Sequence, residues 1–237
     1  MVANLLLPGV LFAQERPASR REGGFCARVN GVVSGIDQRI AERETKLQAK
    51  RDERSANLAK RKSEREAHRL ERRATWDQNR EEHYAKLATR ATTSAEVAAV
   101  AAFKSAIEAA IRARRAAVDA TIQAFRQSVE QAIASRKSAV DAAVAAFKSA
   151  RTAAVEKAKA DCAASVDPAI ARETFKTSMQ AAQDKFKSDR QAIEKLKDSL
   201  EPVRATRKQA MEKAIADFKA AMEKARTDLK AALEPTP

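Results

Sequence analysis

Ala101-Ala102-Phe103-Lys104-Ser105-Ala106 recurs letter for letter at Ala145-Ala146-Phe147-Lys148-Ser149-Ala150. A diverged copy, Gln123-Ala124-Phe125-Arg126-Gln127-Ser128, lies midway, so Phe103, Phe125 and Phe147 stand 22 residues apart. Between them the larger residues advance in steps of 3, 4 and 4: Val100, Phe103, Ile107, Ile111, Arg114, Val118, Ile122, Phe125, Val129, Ile133, Arg136, Val140, Val144, Phe147, Arg151, Val155, Ala158, Cys162, Val166. One row, from Val100 through Ile111, Ile122, Ile133, Val144 and Val155 to Val166, is β-branched throughout. An eleven-residue repeat has about 3.67 residues per turn, which gives a straight or slightly right-handed helical seam. Alanine, the best helix former, fills most of the remaining positions, and no Gly or Pro interrupts the run. The spacing predicts one helix over 94–166, about 73 residues and roughly 110 Å long.

So narrow a seam cannot be buried by its own helix, and it calls for a partner helix along its length. Residues upstream supply one. An apolar stripe of Val29, Val33, Ile36, Ile40 and Leu47 begins near Cys26 or near Ile36, thins through an Arg-, Lys- and Glu-rich stretch, and recovers at Trp76, Tyr84 and Leu87. Opposite charges four apart are not consistently arranged there, so ion pairs within the helix give modest support. Residues 91–94 form the break, and Thr93 with Glu96 has the spacing of a capping box. Two helices of similar length with a short connection read as an antiparallel hairpin. Cys26 and Cys162 stand symmetrically about that turn. An in-register hairpin sets them opposite each other, where a disulfide could clasp its open end.

Asp167-Pro168 ends this helix and caps the next. Phe175, Met179, Ala182, Phe186, Ile193, Leu196 and Leu200 mark a third helix, Glu201-Pro202 a second break, and Val203, Met211, Ile215, Phe218, Met222, Leu229 and Leu233 a fourth. The expected fold is all-α: a long antiparallel helical hairpin, built as an eleven-residue-repeat coiled coil, with two shorter C-terminal helices bundled at its base. The base holds both cysteines. The tip, roughly Lys50 to Lys137, is a bare two-helix projection; one kinked C-terminal helix is the alternative, and it would cover more of the shaft. By segment, 1–14 reads as a signal-peptide remnant with the start lying upstream, 15–25 as a flexible lead-in, 26–166 as the hairpin, and 167–237 as the C-terminal helical pair.

Composition bounds the function. Of 237 residues, 44% are hydrophobic but only 4% aromatic, too few large side chains for a thick globular core. The formal charge of +14 favours anionic partners, although 32 acidic residues are interspersed among the 46 basic ones. His68 and His83, the only histidines, lie 15 apart without a ligand cluster, and neither a phosphate loop nor a nucleophile elbow is present. The chain reads as a non-enzyme without metal or cofactor. Export fits the apolar start and the cysteine pair, and no stretch is long enough for a spanning helix. Candidate partner contacts are Arg61, Arg65, Arg69, Arg72, Arg73, Trp76, Arg80 and Tyr84; the two aromatics, eight apart, can share one face near the tip, where packing of the hairpin end competes with an aromatic contact site amid arginines. For Arg114 and Arg136 within the seam, packed stems with guanidiniums at the flank compete with partner recognition.

The 22-residue repeat over 94–166 resembles the lipid-binding repeat of exchangeable apolipoproteins, without the prolines that punctuate those repeats. The layout of a basic exported hairpin is similar to Skp-type periplasmic chaperones, without their β-strand assembly core. Most of the chain resembles exported Ala/Lys/Arg-rich long-helix proteins of bacteria, a likeness that carries no activity. The leading expectation is a structural or interaction protein of the cell envelope whose basic tip contacts protein or an anionic envelope polymer. A holdase-type chaperone, which implies a homo-oligomer, is the first alternative. Nucleic-acid binding ranks next, with binding to a lipid surface a fourth reading.

Overall fold

The computed structural model describes residues 24–193 and 195–233. All regular structure among them is helical: α1 (Phe25–Ala88), α2 (Ser94–Ala163), α3 (Pro168–Ala192), the single turn α4 (Leu196–Ser199) and α5 (Glu201–Leu233). The signal-like segment 1–14 and most of the lead-in lie outside the described residues. α1 starts at Phe25, runs through Gly31 and Gly35, and stops at Ala88.

The ends of α2 follow local chemistry. Thr93 Oγ1 accepts from the Glu96 amide at 3.2 Å, and Glu96 Oε2 accepts from the Thr92 and Thr93 amides at 2.7 and 3.0 Å. That reciprocal box satisfies donors a helix start leaves orphaned. It also holds the Glu96 carboxyl below its ordinary pKa, through the Thr93 and then the Thr92 amide. α2 ends at Ala163, short of the expected Val166. Ser165 adopts φ 58°, and the Val166 amide bonds the Asp161 carbonyl at 3.0 Å while the Ser165 amide bonds the Cys162 carbonyl at 3.2 Å. This is a Schellman stop, with serine where glycine is usual. Asp167 then caps α3, its Oδ1 accepting from the Ala169 amide at 2.7 Å.

The C-terminal region departs from expectation. The third helix stops at Ala192 rather than running on to Leu200. Its apolar spacing continues, but the chain turns at Ile193 and re-forms as α4. The expected break at Glu201-Pro202 falls at Leu200, between α4 and α5, and the pair itself is the first turn of α5, where proline removes no intrahelical bond.

The chain divides into two compact units. Unit 1 comprises residues up to 44 with 146–185. Its core is Val29, Ala154, Val155, Ala158, Phe175 and Met179, with Phe25 and Val33 against it. The Phe25 and Phe175 rings lie 5.7 Å apart between centroids. Cys26 and Cys162 form a disulfide, their Cα atoms 5.5 Å apart. Arg151 is buried, and its guanidinium meets Asp37 at 2.5 Å, holding that carboxyl below its usual pKa.

Unit 2 comprises 45–145 with the residues from 186 onward. Here α5 lies on α2. The Arg207 guanidinium sits 4.7 Å over the Phe125 ring, and Arg114 sits 4.8 Å over Phe218. Further along, Ala225 and Met222 pack with Tyr84, Ile107, Phe103 and Ile111. Of the two C-terminal helices expected at the base, α3 packs there through Phe175 and Met179, whereas α5 does not: it covers the segment expected to be bare. Arg114 is thereby used inside the unit, against an α5 aromatic.

Candidate functional site

The basic stretch of α1 lies in unit 2, and cross-helix pairing sorts its arginines. Partners on α2 fall in number as residues on α1 rise, so the paired segments run antiparallel. Arg51 meets Asp141 at 2.7 Å, Lys62 meets Glu130 at 3.3 Å, and Glu66 meets Arg126 at 2.8 Å. Arg73 grips Asp119 with two bonds of 2.8 and 2.9 Å, and Arg115 grips Asp77 with two of 2.5 and 2.9 Å. Arg80 meets Glu108 at 2.6 Å, and Lys104 meets Glu81 at 2.8 Å. Arg69 joins Glu66 at 2.6 Å and Asp119 at 3.4 Å.

These rungs follow the same eleven-residue period as the apolar seam. Lys104, Arg115 and Arg126 on α2 are eleven apart, as are Glu108, Asp119, Glu130 and Asp141. On α1, Arg51, Lys62 and Arg73 answer the carboxylates, and Glu66 and Asp77 answer the cations. The electrostatics follow the geometry. Arg115, joined by Arg80, pulls the Asp77 carboxyl down to about 2. Arg73 lowers Asp119, and Arg126 with Arg69 lowers Glu66. Burial, with the Glu108 charge beside it, pushes the Tyr84 phenol up to about 12.

The eight expected contact residues therefore split. Arg69, Arg73 and Arg80 are half-buried rungs, and Tyr84 is buried with its hydroxyl donating to Glu108 at 3.3 Å. These four are used within unit 2, against α2 or, for Arg69, also against Glu66. Arg61, Arg65, Arg72 and Trp76 are exposed, and Trp76 is 55% accessible, so the two aromatics do not share a face. Charge spacing along α1 alone does not reveal these pairs, because they join α1 to α2. Matching the eleven-residue rows of α1 against those of α2 is the signal that finds them.

The exposed set forms a line. Lys50, Arg54, Arg61, Arg65, Arg72 and Trp76 advance by 4, 7, 4, 7 and 4, all of them exposed. For Arg54, Arg65 and Arg72, none of the residues three or four away is acidic. Arg72 bonds only the His68 carbonyl, at 3.4 Å, and Arg54, Arg61 and Arg65 make no ion pair among the described residues. On α5, by contrast, Lys208, Lys213 and Lys224 each pair with a carboxylate four residues on. Among the described residues no group of three or more His, Cys, Asp or Glu could hold a metal ion, and no helix is long and apolar enough to cross a membrane. Comparison with protein-family models, with curated proteins and with solved structures finds no match for this chain.

Proposed function

We infer that the chain is a non-enzymatic, exported coiled-coil protein of structural or interaction type, built as a long antiparallel hairpin that presents a basic helical face to anionic or protein partners. The observation that carries this reading is the sorting of arginines in unit 2. Those facing α2 are matched by carboxylates, while Arg54, Arg61, Arg65 and Arg72 are left to solvent on one face. A surface that served only to hold helices together would not need them. The Cys26–Cys162 disulfide supports export, because such bonds persist in oxidising compartments.

The test is to block free thiols at the moment of extraction from the native cell, fractionate, and map Cys26 and Cys162 without reductant. An intramolecular bond in protein recovered outside the cytoplasm is the expected result. Two free thiols in a cytoplasmic fraction would overturn the exported reading.

A further inference from the structure

We propose that the line Lys50, Arg54, Arg61, Arg65, Arg72 and Trp76 is the docking site for an extended phosphodiester strand. The proposal rests on the reading of unit 2 as an interaction surface and names the partner's chemistry. Three features of the line specify that partner. It is straight, because every step keeps the eleven-residue period that follows the helix without drifting around it. From Lys50 to Trp76 it spans about 39 Å at 1.5 Å per residue, with five cations spaced roughly 6 or 10 Å apart. It is also narrow: Glu66 is turned to α2 by Arg126, and Glu64 and Glu71 lie to the side, near Lys60 and His68. A strand can lie on the cations alone, whereas a broad anionic surface would also approach the flanking carboxylates.

The chemistry of the line agrees with its shape. Four of the five cations are arginines, whose planar forks bind phosphate oxygens with two parallel bonds. None of them forms a rung to α2, and Arg72 holds only the His68 carbonyl at 3.4 Å, so binding breaks no existing rung. At one end stands Trp76, four residues beyond Arg72. An exposed indole beside an exposed guanidinium offers a ring face to a base or sugar carried by the strand.

The experiment uses the full-length oxidised protein and a 20-residue oligothymidylate. The chain has one tryptophan, so quenching of its fluorescence reports the line directly. Five phosphate contacts predict that log K falls with log salt at a slope of about −3.5, at about 0.7 per contact for a single strand. Replacing Arg54, Arg65 and Arg72 by Gln removes three contacts, lowering the slope to about −1.4 and weakening binding roughly 100-fold at 0.1 M salt. Replacing Lys208, Lys213 and Lys224 by Gln removes the same charge from α5 and should change affinity less than threefold. Equal losses in the two triple variants would overturn the proposal in favour of net charge, leaving the basic-surface reading intact. Binding to vesicles of phosphatidylglycerol without binding to the oligonucleotide would overturn it in favour of a bilayer. Binding to neither would remove the proposal and the anionic-partner reading together.

Discussion

Replacing Cys26 and Cys162 together by serine should cost more stability than any other surface-compatible change in unit 1. The bond joins residues 136 apart in sequence. Closing a loop of that size in the unfolded chain removes conformational entropy equivalent to about 5 kcal/mol at 25 °C. The native state should barely change, because Val29, Val155, Ala158 and Phe175 still supply the core beside the bond. Urea unfolding followed by circular dichroism at 222 nm measures the difference between the oxidised parent and the double variant. The expected result is an unchanged native helical signal, a midpoint shifted down by an amount corresponding to ~5 kcal/mol, and a slightly steeper slope as the uncrosslinked unfolded chain expands. Because the chain has two compact units, the transition should be followed with a second probe such as Trp76 fluorescence, which reports unit 2. A loss below ~1 kcal/mol in both probes would refute the loop-closure argument. A collapse of the native helical signal would refute the claim that the core holds without the bond.

Four further outcomes are expected. Asp77→Asn leaves the half-buried Arg80 and Arg115 without their shared carboxylate; with Asp77 partly exposed, the loss should be about 1 kcal/mol, and a double-mutant cycle with Arg115→Gln should give a coupling of about 0.5–1 kcal/mol. Asp37, Glu66, Asp77 and Asp119 all have carboxyls depressed by arginine, so their contribution is complete above pH ~5 and is lost as pH falls towards the value of about 2 at Asp77; urea midpoints between pH 6 and 2 should therefore decline on the acid side, and a flat profile would contradict the ladder. Phe218→Leu keeps apolar bulk but removes the ring beneath Arg114, and should cost about 0.5–1 kcal/mol, read as faster proteolysis of α5. Ser165→Gly relieves the left-handed residue at the end of α2 and should raise stability by about 0.5–1 kcal/mol in thermal unfolding.

Much of the helical content was legible because α2 writes its period plainly and the caps are local. Thr93 with Glu96, and Asp167 before Pro168, need only neighbours three residues away, and both act in the structure as their spacing implies. The position of α5 was not legible. A seam that repeats Phe103, Phe125 and Phe147 in equivalent surroundings offers several similar beds for an apolar stripe, and nothing in α5 alone ranks them. The turn at Ile193 was hidden for a different reason: it carries neither Gly nor Pro, and the apolar spacing passes through it unbroken. In the candidate site, density of arginine was visible but orientation was not. Arg69, Arg73 and Arg80 differ from Arg61, Arg65 and Arg72 only in rotation about the α1 axis. That rotation acquires meaning once Asp119 and Glu108 are known to stand opposite.

The period of the ion ladder also bears on how α1 finds its place against α2. A code that repeats every eleven residues is blind to a shift of eleven. Such a slide would set Arg73 against Glu108 instead of Asp119, and Glu66 against Arg115 instead of Arg126, with the sign kept at these rungs; in unit 2 only the rungs nearest the turn, Arg80 with Glu108 and Glu81 with Lys104, would lose their partners, to Val97 and Thr93. Along most of the ladder the charges thus specify which residues are compatible and leave the alignment degenerate. Marks that do not repeat lift the degeneracy. In unit 2, Tyr84 stands where the period would place another cation after Lys62 and Arg73, and its bond to Glu108 exists in one alignment only. In unit 1, Cys26 can reach one sulfur. Periodic residues supply affinity between the helices, and these singular ones supply the address.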